Sequence, residues 1–292
     1  PKPSGATSLE QSREAMSQTA ELLVKLENLD SRLLRQDQLL TYRILKSYLT
    51  TQLSAKGLEL YDQPLSSSLG IQAQLPILLS EYAFYSKQDV EDYLELLSTI
   101  DAYYGEIAAF EQQKTEAGLG LCDAVIDRIL ASCDAYLLDA DHSFMAATFA
   151  ERLEALPDLT DQEKQDYIAR NHQMIDEHFV PAYQLLIDKL TALKGTGGND
   201  KGLCYLPEGK RYYEYMVNSS TGTSYPTIEE LKSAMGAQML KDLKAMNALL
   251  TKDPSLADQM YSYSFKLTDP NQILEDLKEQ CARDYPPIDD CS

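Results

Sequence analysis

Tyrosines and cations crowd into one short stretch, Gly202-Leu203-Cys204-Tyr205-Leu206-Pro207-Glu208-Gly209-Lys210-Arg211-Tyr212-Tyr213. A tyrosine hydroxyl can donate to a developing oxyanion. Arginine grips a carboxylate bidentately, and lysine holds one as a point charge. Tyr205, Lys210, Tyr212 and Tyr213 are therefore the candidate substrate-binding residues. Lys210 and Arg211 could anchor an acidic group such as a peptide's C-terminal carboxylate. The competing reading is a turn that seats tyrosines in the core. On that reading Lys210 and Arg211 merely offset Glu208 and Glu214 on a solvated helix face. The stretch follows a glycine-rich loop, Gly195-Thr196-Gly197-Gly198-Asn199-Asp200, which has the conformational freedom to move.

No residue is assigned a catalytic role. There is no G-x-S-x-G elbow and no Walker loop. His172 and His178 are six apart, so they point ~240° apart on a helix at ~100° per residue. A zinc site of the H-E-x-x-H kind needs two histidines four apart with a glutamate between them, and Glu177-His178 is half of that. No C-x-x-C pair occurs among Cys122, Cys133, Cys204, Cys281 and Cys291. No metal or other cofactor is assigned to residues of this chain.

The formal net charge of -20 repels a phosphate backbone, which disfavours nucleic acid as a partner. No run is long and apolar enough to be read as a transmembrane segment. The 292 residues suffice for a full core.

The elements that must position the candidate residues all read as helix. Ser8-x-x-Gln11, Thr160-x-x-Glu163 and Thr227-x-x-Glu230 have the form of capping boxes, each followed by apolar residues at helical spacing. Asp30 is read as the cap of a second helix with Leu33, Leu45 and Leu49 inward and Gly57 just past its end, forming a hairpin with the first. Ile71 to Tyr82 is a helix with Pro76 near its start. Ser86 opens the next, Asp123 to Leu138 is another, and Phe144 to Leu156 ends at Pro157. A long helix runs from Thr160 toward Lys194 and should kink near Glu177, because Pro181 has no N–H to give. Glu208 to Val217 is a short helix. Asp269-Pro270 starts the last, with Ile273, Leu274 and Leu277 inward. The expectation is an all-α array of one domain over 1–292, with a sub-division into 1–157 and 158–292 as a variant.

Several segments then come in a familiar order: Leu69-Gly70-Ile71-Gln72-Ala73-Gln74-Leu75-Pro76, Glu81-Tyr82-Ala83-Phe84, Asp92-Tyr93-Leu94, Glu116-Ala117-Gly118, Pro181-Ala182-Tyr183 and Leu206-Pro207-Glu208-Gly209-Lys210-Arg211-Tyr212-Tyr213. The set resembles the large bacterial family known as domain of unknown function 885. That resemblance implies a helical, often secreted or lipoprotein, zinc-dependent peptidase whose H-E-x-x-H motif lies in a C-terminal half. This chain has no such motif. The resemblance therefore implies a fragment: a non-catalytic lobe and cleft wall, inactive alone, whose partners are the missing catalytic half and a peptide substrate. Zinc is implied only for the intact protein, and location in the cell envelope only by the same likeness. A fragment should leave Asp289-Asp290-Cys291-Ser292 exposed and an apolar patch open. The alternative is a stand-alone helical binding module on the cell surface without enzymatic activity.

Overall fold

The computed structural model describes residues 9–137, 142–223, 225 and 227–285. They form thirteen α-helices: α1 (Leu9–Glu27), α2 (Gln36–Ser54), α3 (Ile71–Ser80), α4 (Lys87–Leu97), α5 (Ile100–Glu116), α6 (Asp123–Asp134), α7 (Phe144–Glu154), α8 (Asp161–Met174), α9 (Val180–Leu193), α10 (Gly209–Thr221), α11 (Ile228–Lys252), α12 (Ser255–Ser262) and α13 (Pro270–Asp284). Among the described residues there is no strand, so the fold is all-α. The chain separates into two compact units, Pro1–Pro226 and Thr227–Ser292. Pro157, the alternative boundary in the sequence, lies within the first unit, where α7 and α8 on either side of it pack together.

Local signals account for most helix starts. The Thr160 hydroxyl accepts from the Glu163 N–H, and the Glu163 carboxylate accepts from the Thr160 N–H, a reciprocal cap. Glu163 also takes the Lys87 ammonium at 2.5 Å, and these bonds hold its carboxyl down at about 2. At Thr227 only half of the box forms, the hydroxyl accepting from Glu230 N–H at 3.2 Å. Ser8 and Leu138 lie outside the described residues. Asp30 caps not α2 but a 3₁₀ turn, Ser31–Leu33, because its carboxylate closes on Arg32; α2 starts only at Gln36. α1 and α2 pack as the expected hairpin, joined by a Glu27–Lys46 ion pair at 2.9 Å.

The core of the first unit is built around α5 and α9, its most extensive helix pair. Tyr93, Tyr104, Ile107, Ile129, Phe149, Phe179, Tyr183 and Leu186 are buried there. Pro76 is not near a helix start but at the sixth position of α3. A proline has no N–H, so the Gln72 carbonyl four residues back loses its helical partner. The Tyr183 hydroxyl donates to that carbonyl at 2.6 Å. The Tyr104 hydroxyl in turn donates to Tyr183 at 2.9 Å, with the two rings edge-on at 5.0 Å. Burial pushes both phenols far up, so they remain neutral donors.

The other internal proline acts as its sequence position implies. Between α8 and α9 the helix widens into a π turn, Ile175–Phe179, just before Pro181. Arg152 supplies a third device. Its guanidinium donates to the carbonyls of Leu79 and Tyr82 at the end of α3 and to Thr148, and it lies 4.5 Å from the centre of the Phe84 ring. Orphan carbonyls of a helix end are thereby met by a cation.

The apolar spacing of some helices does not lead to burial. α11, α12 and α13 contain no buried residue. Ile273, Leu274 and Leu277, expected inward, are exposed, as are Leu33 and Leu45. Within the second unit, the described residues do not bury these apolar stripes.

Tyr183→Phe should cost about 1–3 kcal/mol in urea unfolding, the range for stranding a buried acceptor. Pro76→Ala restores an N–H that can reach Gln72, so in that background the same change should cost less. Equal costs in the two backgrounds would refute the assignment.

Candidate functional site

A second, smaller cluster gathers around Tyr212: Leu58, Tyr61 and Tyr212 are buried, with Leu119, Leu203, Leu206 and Tyr215 against them. Several local features hold it together. Gly209 starts α10 so close to the chain that a Cβ there would overlap the Leu203 carbonyl. The Glu208 N–H donates to the Tyr61 hydroxyl at 2.9 Å. The Tyr61 and Tyr212 rings are 5.6 Å apart, those of Tyr212 and Tyr215 are 5.9 Å apart, and the Tyr215 hydroxyl donates to Gln52 at 3.2 Å. Arg211 donates to the carbonyls of Ser54 and Lys56, capping the end of α2. That role ties down the guanidinium which the sequence offered as a carboxylate anchor.

Beside this cluster lies a cavity of about 280 Å³, lined by Ser12, Met16, Ala55, Leu58, Glu59, Asp62, Phe110, Tyr212 and Tyr215. Four segments far apart in the sequence meet there. Burial, with Asp62 and Tyr215 nearby, pushes the Tyr212 phenol up, so it is a neutral hydroxyl next to a carboxylate. Behind Phe110 in sequence lies a buried ion pair: Glu111 is 1% exposed, Lys114 is 2% exposed, and they meet at 3.1 Å. The Lys114 ammonium also sits 5.7 Å from the Phe110 ring centre. Glu111 Oε2 has no hydrogen-bond partner. Burial outweighs the Lys114 charge and raises the Glu111 carboxyl, with Asp62 adding to the rise.

The four candidate residues do not converge. Only Tyr212, 8% exposed, is in this cavity. Tyr205 is 65% exposed with the Lys201 ammonium 5.6 Å from its ring centre, and Tyr213 is 48% exposed. Lys210 is solvated, 4.0 Å from Glu214 one turn along α10. The Tyr212 cavity is smaller than an open groove of about 600 Å³ on α11 lined by Met235, Gln238, Met239, Asp242, Leu243 and Met246. The glycine-rich loop is not left loose: Gly195 N–H donates to Asp123 at 2.7 Å, and a Cβ on Gly197 would overlap the Leu121 carbonyl.

The sequence reading missed Glu59, Asp62, Phe110 and the Glu111–Lys114 pair. One signal was available. Tyr104, Ile107, Glu111 and Lys114 recur at helical spacing, which puts two charges on the apolar stripe of α5. Among the described residues no three His, Cys, Asp or Glu side chains come together as a ligand set. His178 instead pairs with Asp101 at 3.2 Å. The described cysteines, Cys122, Cys133, Cys204 and Cys281, are free, and burial pushes the Cys133 thiol up to about 12. No helix of the described residues is long and apolar enough to cross a membrane.

The chain belongs to a family of bacterial proteins of unknown function (DUF885), whose model matches residues 4–289. Its fold is similar to a crystal structure described as a "putative lipoprotein from Colwellia psychrerythraea", with a TM-score of 0.64 and 13% identity. The match covers 87% of this chain and 44% of that one, so this chain spans about half the length of the solved protein. At that identity the likeness shows the fold alone. No curated protein matches the chain.

At a pH where Glu111 is ionised, Lys114→Met should destabilise by about 3–5 kcal/mol, because it leaves a buried charge uncompensated, and by much less in a Glu111→Gln background. The raised Glu111 pKa has a definite sign. Above the ordinary value of 4.5 the unfolded chain has released this proton while the folded chain still holds it. Stability from this group is full below pH 4.5 and is lost as pH rises through the folded pKa. Unfolding curves between pH 4.5 and 8 should therefore fall more steeply for the native chain than for Glu111→Gln.

Proposed function

We propose that this chain is the helical, non-catalytic lobe of a longer bacterial metallopeptidase-like protein, and that it walls the substrate cleft. The observation that carries the reading is the uncovered apolar surface of α11–α13, where Met235, Met239, Leu240, Leu243, Met246, Leu249, Leu274 and Leu277 are all exposed. Exposed apolar side chains in such number along one helix, as on α11, are the mark of an interaction surface. Membership of the family supports the reading, and so does a like fold that makes up less than half of a longer chain.

In the whole protein, zinc bound by the other half would activate water for amide hydrolysis. The described residues of this chain do not supply a ligand set for it. What this lobe contributes is a surface for peptide: Tyr205 and Tyr213 present exposed hydroxyls, Lys210 an exposed ammonium, and Tyr212 the wall of a cavity. Placement in the cell envelope belongs to the same proposal, and rests on the lipoprotein-like description of the similar structure.

The test compares this chain with the longer protein of its reading frame. The longer protein should carry an H-E-x-x-H segment, cleave a mixed peptide library, and lose that activity to a chelator. This chain alone should cleave nothing. In the longer protein Tyr212→Phe should lower turnover by more than its effect on unfolding explains. Peptide cleavage by residues 1–292 alone, or a reading frame without the zinc motif, would overturn the proposal.

A further inference from the structure

We infer that the cavity lined by Tyr212 binds an alkylammonium group, a primary amine carried on a short apolar chain. Its walls present two kinds of surface: the carboxylates of Glu59 and Asp62, and the rings of Phe110, Tyr212 and Tyr215. A cation is the ligand that both favour, through charge-assisted hydrogen bonds to the carboxylates and attraction to the ring faces.

The carboxylates keep acceptor capacity for a cation. Asp62 accepts the Gln63 N–H at 2.9 Å and is hydrogen-bonded to the Tyr212 side chain, and Glu59 accepts the Gly57 N–H at 2.9 Å. No lysine or arginine of the described residues forms an ion pair with either. Lys114, the cation nearest the Phe110 wall, is committed to Glu111, so it does not offset them. The Tyr212 phenol, held neutral by burial, adds no competing charge.

The remaining lining fits the rest of such a molecule. Met16, Ala55 and Leu58 give an apolar floor for methylenes, and Ser12 gives one hydroxyl. A volume of about 280 Å³ equals roughly nine waters at ~30 Å³ each, room for a chain of a few carbons. An anion would be repelled by both carboxylates, and a neutral alcohol would leave their charge unanswered. Ammonium recognition here stands whether or not the longer protein is a peptidase, because it concerns residues of this chain alone.

Calorimetric titration of this chain at low salt with n-pentylamine and with cadaverine tests the inference, with 1-pentanol and pentanoate as controls. Both amines should bind saturably at one site, and neither control should. Asp62→Asn should weaken amine binding by about tenfold, the scale of one hydrogen bond to a charged group. Tyr212→Leu should weaken it by about fivefold, the scale of a lost cation–π contact. Should Tyr212→Leu fail to fold by circular dichroism, Asp62→Asn decides the matter, since Asp62 is exposed. Absence of saturable amine binding, pentanol binding as tightly as pentylamine, or undiminished binding by Asp62→Asn would each overturn it.

Discussion

The carbonyl of Gln72 is the point on which the first unit turns. Pro76 deprives it of a helical partner, and a buried acceptor left bare costs on the order of 1–3 kcal/mol. The hydroxyl that answers it belongs to Tyr183 on α9, and Tyr183 is itself answered by Tyr104 on α5. One missing N–H in α3 thus fixes the register of three helices against one another. The rest of the core packs around that arrangement: Phe179 lies 4.9 Å from Tyr183 ring to ring, and Tyr136 lies 5.0 Å from it. The π turn before Pro181 sits directly upstream of Tyr183 on the same helix, so backbone relief and side-chain register are set within a few residues.

The Tyr212 cluster hangs from this frame through α5. Ile107 and Ala108 belong to the main core, while Phe110 lines the cavity from the same helix. From the opposite direction, Arg211 ties the start of α10 to the end of α2. The cavity therefore has walls from elements that are each anchored elsewhere. Such walls suit a binding site, since its geometry need not be created by the ligand.

Much of the fold is legible in the sequence because local rules set it. Gly57 and Gly118 take positive φ just past α2 and α5, Thr160 and Glu163 cap each other, and Pro181 marks the irregular turn. Asp30 misled because a nearby arginine captured its carboxylate, a competition that capping rules do not weigh. Ile273, Leu274 and Leu277 misled because periodicity reports an apolar face and not what covers it. The site was less legible still. Tyr212 stood out by tyrosine density, but Ser12, Asp62 and Phe110 are brought to it from three other parts of the chain. Arg152 gave no signal at all: two of its three carbonyl partners are some seventy residues away.

The exposed faces of α11–α13 bear most directly on what the molecule is for. Methionines suit an interface, being flexible and apolar, and they report their own exposure through oxidation. The decisive measurement is the rate at which peroxide oxidises Met235, Met239 and Met246 in this chain and in the longer protein, followed by mass spectrometry. If these helices are covered by the rest of a longer protein, the three methionines should react freely in residues 1–292 and be protected by about tenfold or more in the longer protein. Equal rates in the two proteins would contradict the account.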